Sequence, residues 1–363
     1  MKVLHVEGGR NLYGGALQVL YLLKGLQARG IENVLACPRG SELSRAAAGF
    51  AEVCGMRMGG DLDLPMIARI YRLIRSAQPD LIHLHSRIGA DVLGAIAAGL
   101  AGVPVVHSRR QDNPEMPWLA RAKYRLHDRV IAISEEVARV KLSEGLPPHK
   151  LRCVRDAVDA GAFQEPCDYA KFRAAFGLPE DSLVIGVVAQ LIARKGHRYL
   201  LEAMPALIER FPTLHALFFG KGPLEPELRQ QSQRLGITER IYFAGFRGDL
   251  PQVLPCLNVL VHPALREGLG VSLLQAASAG VPIVAFRAGG VPEAVRDGLN
   301  GLLVPPKDVE ALRQAIGRVI GDPELARRLG AAGREVAERE FSIDAMVEGN
   351  LQVYQELLAQ RRV

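Results

Sequence analysis

Two stretches set charged side chains beside glycine just past an apolar run, where backbone amides and cations can meet an anion. In Val187-Val-Ala-Gln-Leu-Ile-Ala-Arg-Lys-Gly196, Arg194 and Lys195 follow a buried-strand pattern. Cations there are placed to neutralise a diphosphate leaving group, whose charge grows as its bond breaks. Solvated surface charge is the competing reading. The second stretch, His262-Pro-Ala-Leu-Arg-Glu-Gly-Leu-Gly-Val-Ser-Leu-Leu-Gln275, ends a strand at His262 and carries Glu267 on a glycine-rich turn. A helix begins near Gly270 or Val271, with Gln275 about one turn inside. A carboxylate and helix-terminal amides would face one bound molecule, the carboxylate bonding sugar hydroxyls and the amides bonding phosphate oxygens. A third junction, Glu7-Gly-Gly-Arg-Asn-Leu-Tyr-Gly-Gly-Ala16, puts Gly14 and Gly15 at a helix start. Its spacing fits neither GxGxxG nor GxxxxGK[ST], which argues against a dinucleotide dehydrogenase and a P-loop NTPase. An ordinary tight turn is the alternative.

The elements that must position these residues alternate short apolar runs with stretches of helical period, the pattern of βαβ units and parallel sheets. Strands are expected at 2–6, 33–37, 81–84, 104–107 and 129–133, then at 183–188, 214–219, 240–244, 257–261, 282–285 and 301–304. Apolar residues at 16, 19, 20, 23 and 26 share one face of a helix over Ala16–Ala28. A polar stretch with Gly161, Pro166, Gly177 and Pro179 reads as a linker from about residue 160 to 179. The expected domains are therefore 1–163 and 180–341, the second carrying the nucleotide-type junctions. Helical segments start near Asp308, Pro323 and Ser342, and the last, about 342–363, is expected to pack back on the first domain.

A chain of 363 residues with 48% apolar and 23% charged residues has core enough for two α/β domains and is far from the composition of disorder. Its net charge of +6 favours anionic ligands or an anionic membrane surface, without any block of five or six like charges. Nucleic acid is a poor third choice, because aromatics are only 6% of the chain and no basic stretch interleaves with them. Five scattered cysteines, Cys37, Cys54, Cys153, Cys167 and Cys256, form no CxxC pair and are expected as reduced thiols of a cytoplasmic protein. The apolar start Val3–Val6 is too short for a signal peptide, and Val92–Val106 is broken by Gly102 and Pro104, so membrane contact is expected to be peripheral. Asp61-Leu-Asp63 has a metal-binding DxD form, but one such triplet is expected by chance among 39 acidic residues, and no metal is expected. His83 and His85 alternate on a buried strand and are expected as core residues rather than site residues.

Taken in order, several motifs resemble glycosyltransferase family 4. They are Gly14-Gly15-Ala16, Asp80-Leu-Ile-His-Leu-His85, Asp128-Arg-Val-Ile-Ala-Ile-Ser134, Lys195-Gly196, Gly220-Lys-Gly-Pro-Leu224, Glu267-Gly-Leu-Gly270, Ala279-Gly-Val-Pro282 and Gly289-Gly-Val-Pro-Glu293. The resemblance spans almost the whole chain. It implies a GT-B fold, two Rossmann-like parallel-sheet α/β domains facing across a cleft. It implies a retaining, metal-independent transferase without cofactor, moving a sugar from a UDP- or GDP-type donor to a glycan or glycolipid acceptor. Lipopolysaccharide or other surface-polysaccharide synthesis is the setting it suggests.

Carried onto this chain, the family pattern makes Glu267 and Lys195 the catalytic pair. The donor site it implies comprises Gly15, Gln190, Arg194, Lys195, Glu267, Gly268, Leu269, Gly270, Val271 and Gln275. Gly15 and Lys195 would meet the diphosphate, Glu267 the sugar hydroxyls, Gly270 and Val271 the phosphate through their amides, and Gln275 the ribose. Three positions depart from the pattern. A glutamate eight positions after the first is replaced by Gln275, whose amide bonds a diol less strongly than a carboxylate. An arginine five positions before the lysine is replaced by Gln190, and Arg194 is expected to compensate. A histidine after the Pro-Val-Val strand is replaced by Arg110, within His107-Ser-Arg-Arg-Gln111; Arg109 and Arg110 could face the diphosphate or a phosphorylated acceptor, or be a solvated pair. The rival readings are a nucleotide-sugar epimerase of similar shape and a degenerate nucleotide-binding homologue.

Overall fold

The computed structural model describes residues 1–86, 89–110 and 115–361; Gln111 of the His107–Gln111 motif lies outside them, as do the last two positions of the expected final helix. Its contacts divide the chain into two units, Met1–Ala157 together with the chain from Ile343 onward, and Val158–Ser342. The first unit holds β1 (Lys2–Val6), β2 (Glu32–Pro38), β3 (Glu52–Met56), β4 (Leu81–Leu84), β5 (Val105–Arg109), β6 (Arg129–Ala132) and β7 (Leu151–Cys153). All pair in parallel, in the order β3-β2-β1-β4-β5-β6-β7. Parallel pairing demands crossovers, and helices therefore cover both faces, so the central strands β1, β4 and β5 are buried on both sides, their polar residues His5, His83 and His107 included. On one face Val3 packs with Leu22 and Leu26 of helix Gly14–Gln27 and with Val347, Tyr354 and Leu357 of the final helix Ile343–Gln360. On the other, Leu4, Val6 and Leu84 meet Ile70 and Leu93 from the helices Pro65–Ala77 and Ala90–Ala101.

The second unit holds β8 (Leu183–Val188), β9 (Leu214–Phe219), β10 (Ile241–Gly245), β11 (Val259–His262), β12 (Ile283–Phe286) and β13 (Leu302–Val304), in the parallel order β10-β9-β8-β11-β12-β13. Its core joins Ile185, Phe218, Val261 and Phe286 to Leu200, Met204 and Ile316 from the covering helices. Both sheets start in the middle and grow outward in turn. The order reverses between β1 and β4 in one and between β8 and β11 in the other, and the loops leaving such neighbours diverge, opening a crevice at the strand carboxyl ends.

Two expectations change. The stretch 160–179, expected as a linker, contains helix Tyr169–Phe176, started by Asp168, whose side chain accepts from the Lys171 amide at 3.1 Å, and ended at Gly177 with φ 63°. Cys167 and Cys256, expected as thiols, are joined in a disulfide across 89 residues of sequence, with Cα atoms 5.0 Å apart. No sequence spacing reveals such a pairing; the chain entering the second unit has to fold beside the turn preceding β11 before the two sulfurs meet.

Candidate active site

In the second unit the two charged stretches lie on either side of the reversal point, one after β8 and one after β11. Two backbone contacts lock them together. The Leu265 amide donates to the Arg194 carbonyl at 2.8 Å. Gly196, at φ 69°, sits so close that a Cβ there would lie 1.9 Å from the Pro263 carbonyl oxygen, which only glycine tolerates. The loop after β12 closes the floor: the Gly290 amide donates to the Glu267 carbonyl at 2.9 Å, and a Cβ on Gly289 would lie 2.3 Å from that oxygen. The turn carrying Glu267 is thus seated by backbone on two sides.

The seating brings Lys195 Nζ into an ion pair with Glu267 Oε2, both side chains largely buried. His262 Nε2 approaches the same oxygen at 2.9 Å. Burial on its own pushes the Glu267 carboxyl up, but the Lys195 cation and the His262 contact outweigh it and hold the group well below the usual carboxylate range. Burial drives His262 down, against the pull of Glu267, so its imidazole is neutral and Nε2 carries the proton it donates. Glu267 is therefore a fixed anion able to accept further hydrogen bonds. His262 was not singled out as its partner, because a contact five positions back across a loop leaves no periodic trace in sequence.

Gly268, Leu269 and Gly270 continue the turn into helix Val271–Ser278, where the amides of Val271 and Ser272 precede the first intrahelical hydrogen bond, from the Leu273 amide to the Gly270 carbonyl at 2.9 Å. Leu269 is buried. Gln275 is half-buried one turn into the helix, Arg194 is half-buried, and Gln190 is exposed just past β8. Adjacent to this site, His197 is buried with neither ring nitrogen hydrogen-bonded, its ring edge-on to Phe218, and burial pushes it down to about 3.

In the first unit Gly15 lies beside Arg110: a Cβ on Gly15 would sit 3.7 Å from Arg110 Cδ. Arg110 Nε donates to Asp156 Oδ1 and Nη1 to the His85 carbonyl, each at 3.3 Å. Asp156 is itself braced through Ala157, which exchanges two 2.7 Å hydrogen bonds with the Gln18 side chain. Across the β1/β4 reversal the Gly8 amide donates to Ser86 Oγ at 2.7 Å, and burial raises the neighbouring Glu7 carboxyl. Arg109 departs from the expected pairing with Arg110. Its side chain is 1% exposed and bonds Glu115 at 3.0 Å, because successive residues at a strand end point to opposite faces. His83 and His85 join His5 in a buried cluster: His5 Nδ1 meets His85 Nε2 at 3.0 Å, and His83 bonds Tyr354 and Ser108 at 2.6 and 2.8 Å. These contacts give the cluster a packing role. Asp63 of the DxD triplet is engaged by Arg69 at 2.5 Å and by the Gly59 amide at 2.7 Å.

Comparison with known proteins gives the following. Residues 168–336 match the family described as glycosyl transferases group 1, and residues 13–161 match glycosyltransferase family 4. A 2-deoxystreptamine glucosyltransferase of Streptomyces kanamyceticus is 30% identical, covering 80% of this chain and 81% of its own. The Escherichia coli UDP-Gal:alpha-D-GlcNAc-diphosphoundecaprenol alpha-1,3-galactosyltransferase is 28% identical over 72% of each chain. Anabaena Alr3699/HepE, solved in complex with UDP and glucose, superposes with a TM-score of 0.86 at 23% identity, covering 98% of this chain and 99% of that one, a likeness of fold.

Proposed function

Because this chain belongs to glycosyltransferase family 4, we propose that it transfers a hexosyl or related sugar with retention, without a metal, from a nucleotide-diphosphate sugar to a glycan or glycolipid acceptor. The observation that carries this reading is the Lys195–Glu267 pair, contributed by the two loops flanking the β8/β11 reversal and held by backbone. Glu267, kept ionised, accepts hydrogen bonds from the sugar hydroxyls. Lys195, turned toward the donor, compensates the diphosphate as it departs, assisted by Arg194 and by the amides of Gly270 and Val271. Gln275 bonds the ribose, and Gly15 supplies a further amide to the diphosphate. A leaving group whose charge is absorbed this way lets the acceptor attack on the face it vacates, so no enzyme nucleophile is required.

The donor is of UDP or GDP type, the first being the one named for the E. coli relative. The lipid-linked acceptor named for the E. coli relative favours a cell-surface polysaccharide role, with the enzyme peripheral at the cytoplasmic membrane face. The test is incubation with UDP-glucose, UDP-galactose or GDP-mannose, with and without acceptor lipid extract, in EDTA. Acceptor-dependent release of nucleotide with an unchanged anomeric configuration supports the proposal. Conversion of donor without acceptor would make the chain an epimerase, and tight nucleotide binding without turnover would make it a binding homologue.

A further inference from the structure

We propose that His262 is a positioning residue for the transfer: its Nε2–H keeps Glu267 Oε2 in place when Lys195 turns to the diphosphate, so that Oε1 is the oxygen offered to the sugar hydroxyls. The inference rests on the reading given above and fills a task which that reading leaves open. Lys195 cannot hold the carboxylate and absorb the leaving group's charge at once.

Both contacts of the Glu267 carboxylate end on one oxygen. Lys195 Nζ and His262 Nε2 meet Oε2, the second at 2.9 Å, and among the described residues none donates to Oε1. An oxygen left in this way keeps its lone pairs for a ligand. The two partners differ in mobility and in charge. Lys195 ends the short turn Ala193–Lys195 on a flexible stem, and a cation is drawn to the larger negative charge that arrives with a diphosphate. His262 closes strand β11, paired in register with Ala285 of β12, and its side chain is 1% exposed. Its ring, kept neutral by burial, has no charge to redirect. A polar ring at the buried end of an otherwise apolar strand costs free energy unless it is bonded, and the Glu267 contact answers that cost. The stem of Glu267 is hemmed in as well, since a Cβ on Gly270 would lie 3.3 Å from Glu267 Cγ. One oxygen tied by a rigid, neutral donor and the other left unbonded give the carboxylate a fixed bearing before the sugar arrives.

The contact is read first without substrate. In the full chain with isotope-labelled histidine, one Nε2–H proton should exchange slowly with water, shift in Glu267→Gln, disappear in His262→Met and persist in Lys195→Met. Its absence from the wild type, or its loss from Lys195→Met, would overturn the proposal. Turnover is read second. His262→Met should lower kcat by about tenfold while the affinity for UDP or GDP, measured by titration, stays within about twofold. His262→Gln, whose amide can stand where Nε2 does, should recover most of the rate. On a Glu267→Gln background His262→Met should cost nothing further, because it acts only through that carboxylate. Equal losses of kcat and nucleotide affinity, no rescue by His262→Gln, or an additive loss on the Glu267→Gln background would reduce His262 to a structural part and end the proposal. A wild type without turnover would end the transferase reading instead, and the histidine spectra would then decide this one.

Discussion

Lys195→Met keeps an apolar stem but deletes the cation that holds Glu267 ionised, and its effect on stability can be worked from the site. The two side chains are 12% and 13% exposed and in direct contact. Removing one partner of such a pair leaves an uncompensated charge, a loss of about 3–5 kcal/mol. A Coulomb estimate at an effective dielectric of about 20 and a separation of about 4 Å gives about 4 kcal/mol, the same range. The His262 hydrogen bond survives and offsets part of this, so about 3 kcal/mol is expected at pH 7.5. With Lys195 gone, burial becomes the dominant influence on Glu267 and raises its pKa above the unfolded value. A group with a raised folded pKa destabilises most at high pH and less as it protonates, so the difference from wild type should shrink between pH 7.5 and 5.5. Adding Glu267→Gln removes the stranded charge, and the double variant should recover to within about 1 kcal/mol of wild type. Urea unfolding at both pH values measures all three terms. If Lys195→Met and the double variant unfold at the same urea concentration, the two groups are not coupled and the site's electrostatics have been misread.

Glu267→Ala should lower kcat by at least about tenfold, since it removes a contact that strengthens in the transition state; unchanged turnover would take Glu267 out of the mechanism. Arg194→Ala should weaken donor binding by about tenfold, the worth of one charge-assisted hydrogen bond, measured by titration with the nucleotide; undiminished affinity would end its role as a substitute for an arginine at position 190. Burial pushes His5 and His197 down to about 3 and His127 to about 4. The unfolded chain binds protons at these histidines below about pH 6.5 that the folded chain refuses, so stability should fall steadily from pH 6.5 toward pH 4. A urea midpoint that stays constant from pH 7 to 5 would contradict this.

The central strands and the loops after β8 and β11 were legible because buried parallel strands write continuous apolar runs and the junction residues follow them directly. The edge strands β3 and β7 were not. β3 mixes Glu52 and Gly55 with Val53 and Met56, and β7 has only three residues, so neither produces a run. The helix Tyr169–Phe176 was hidden for a different reason: Gly177 was read as loop punctuation when it is the helix's stop, and Asp168 is its start. Lys195 and Glu267 could be singled out by type and position, but their direct pairing needs the third dimension, as do His262 and the Asp156–Arg110 contact. Arg109 and Arg110 look alike in sequence, and only the strand's alternation sends one into the interior.

The backbone lock at Gly196 and Gly289 has a consequence for how such an enzyme can diversify. Because the frame around Glu267 is held by carbonyls and amides, that of Arg194 among them, the side chains of Gln190, Arg194 and Gln275 take no part in it. A lineage could exchange those three side chains, and with them its preference for base or sugar, while the scaffold that aims the carboxylate stayed unchanged.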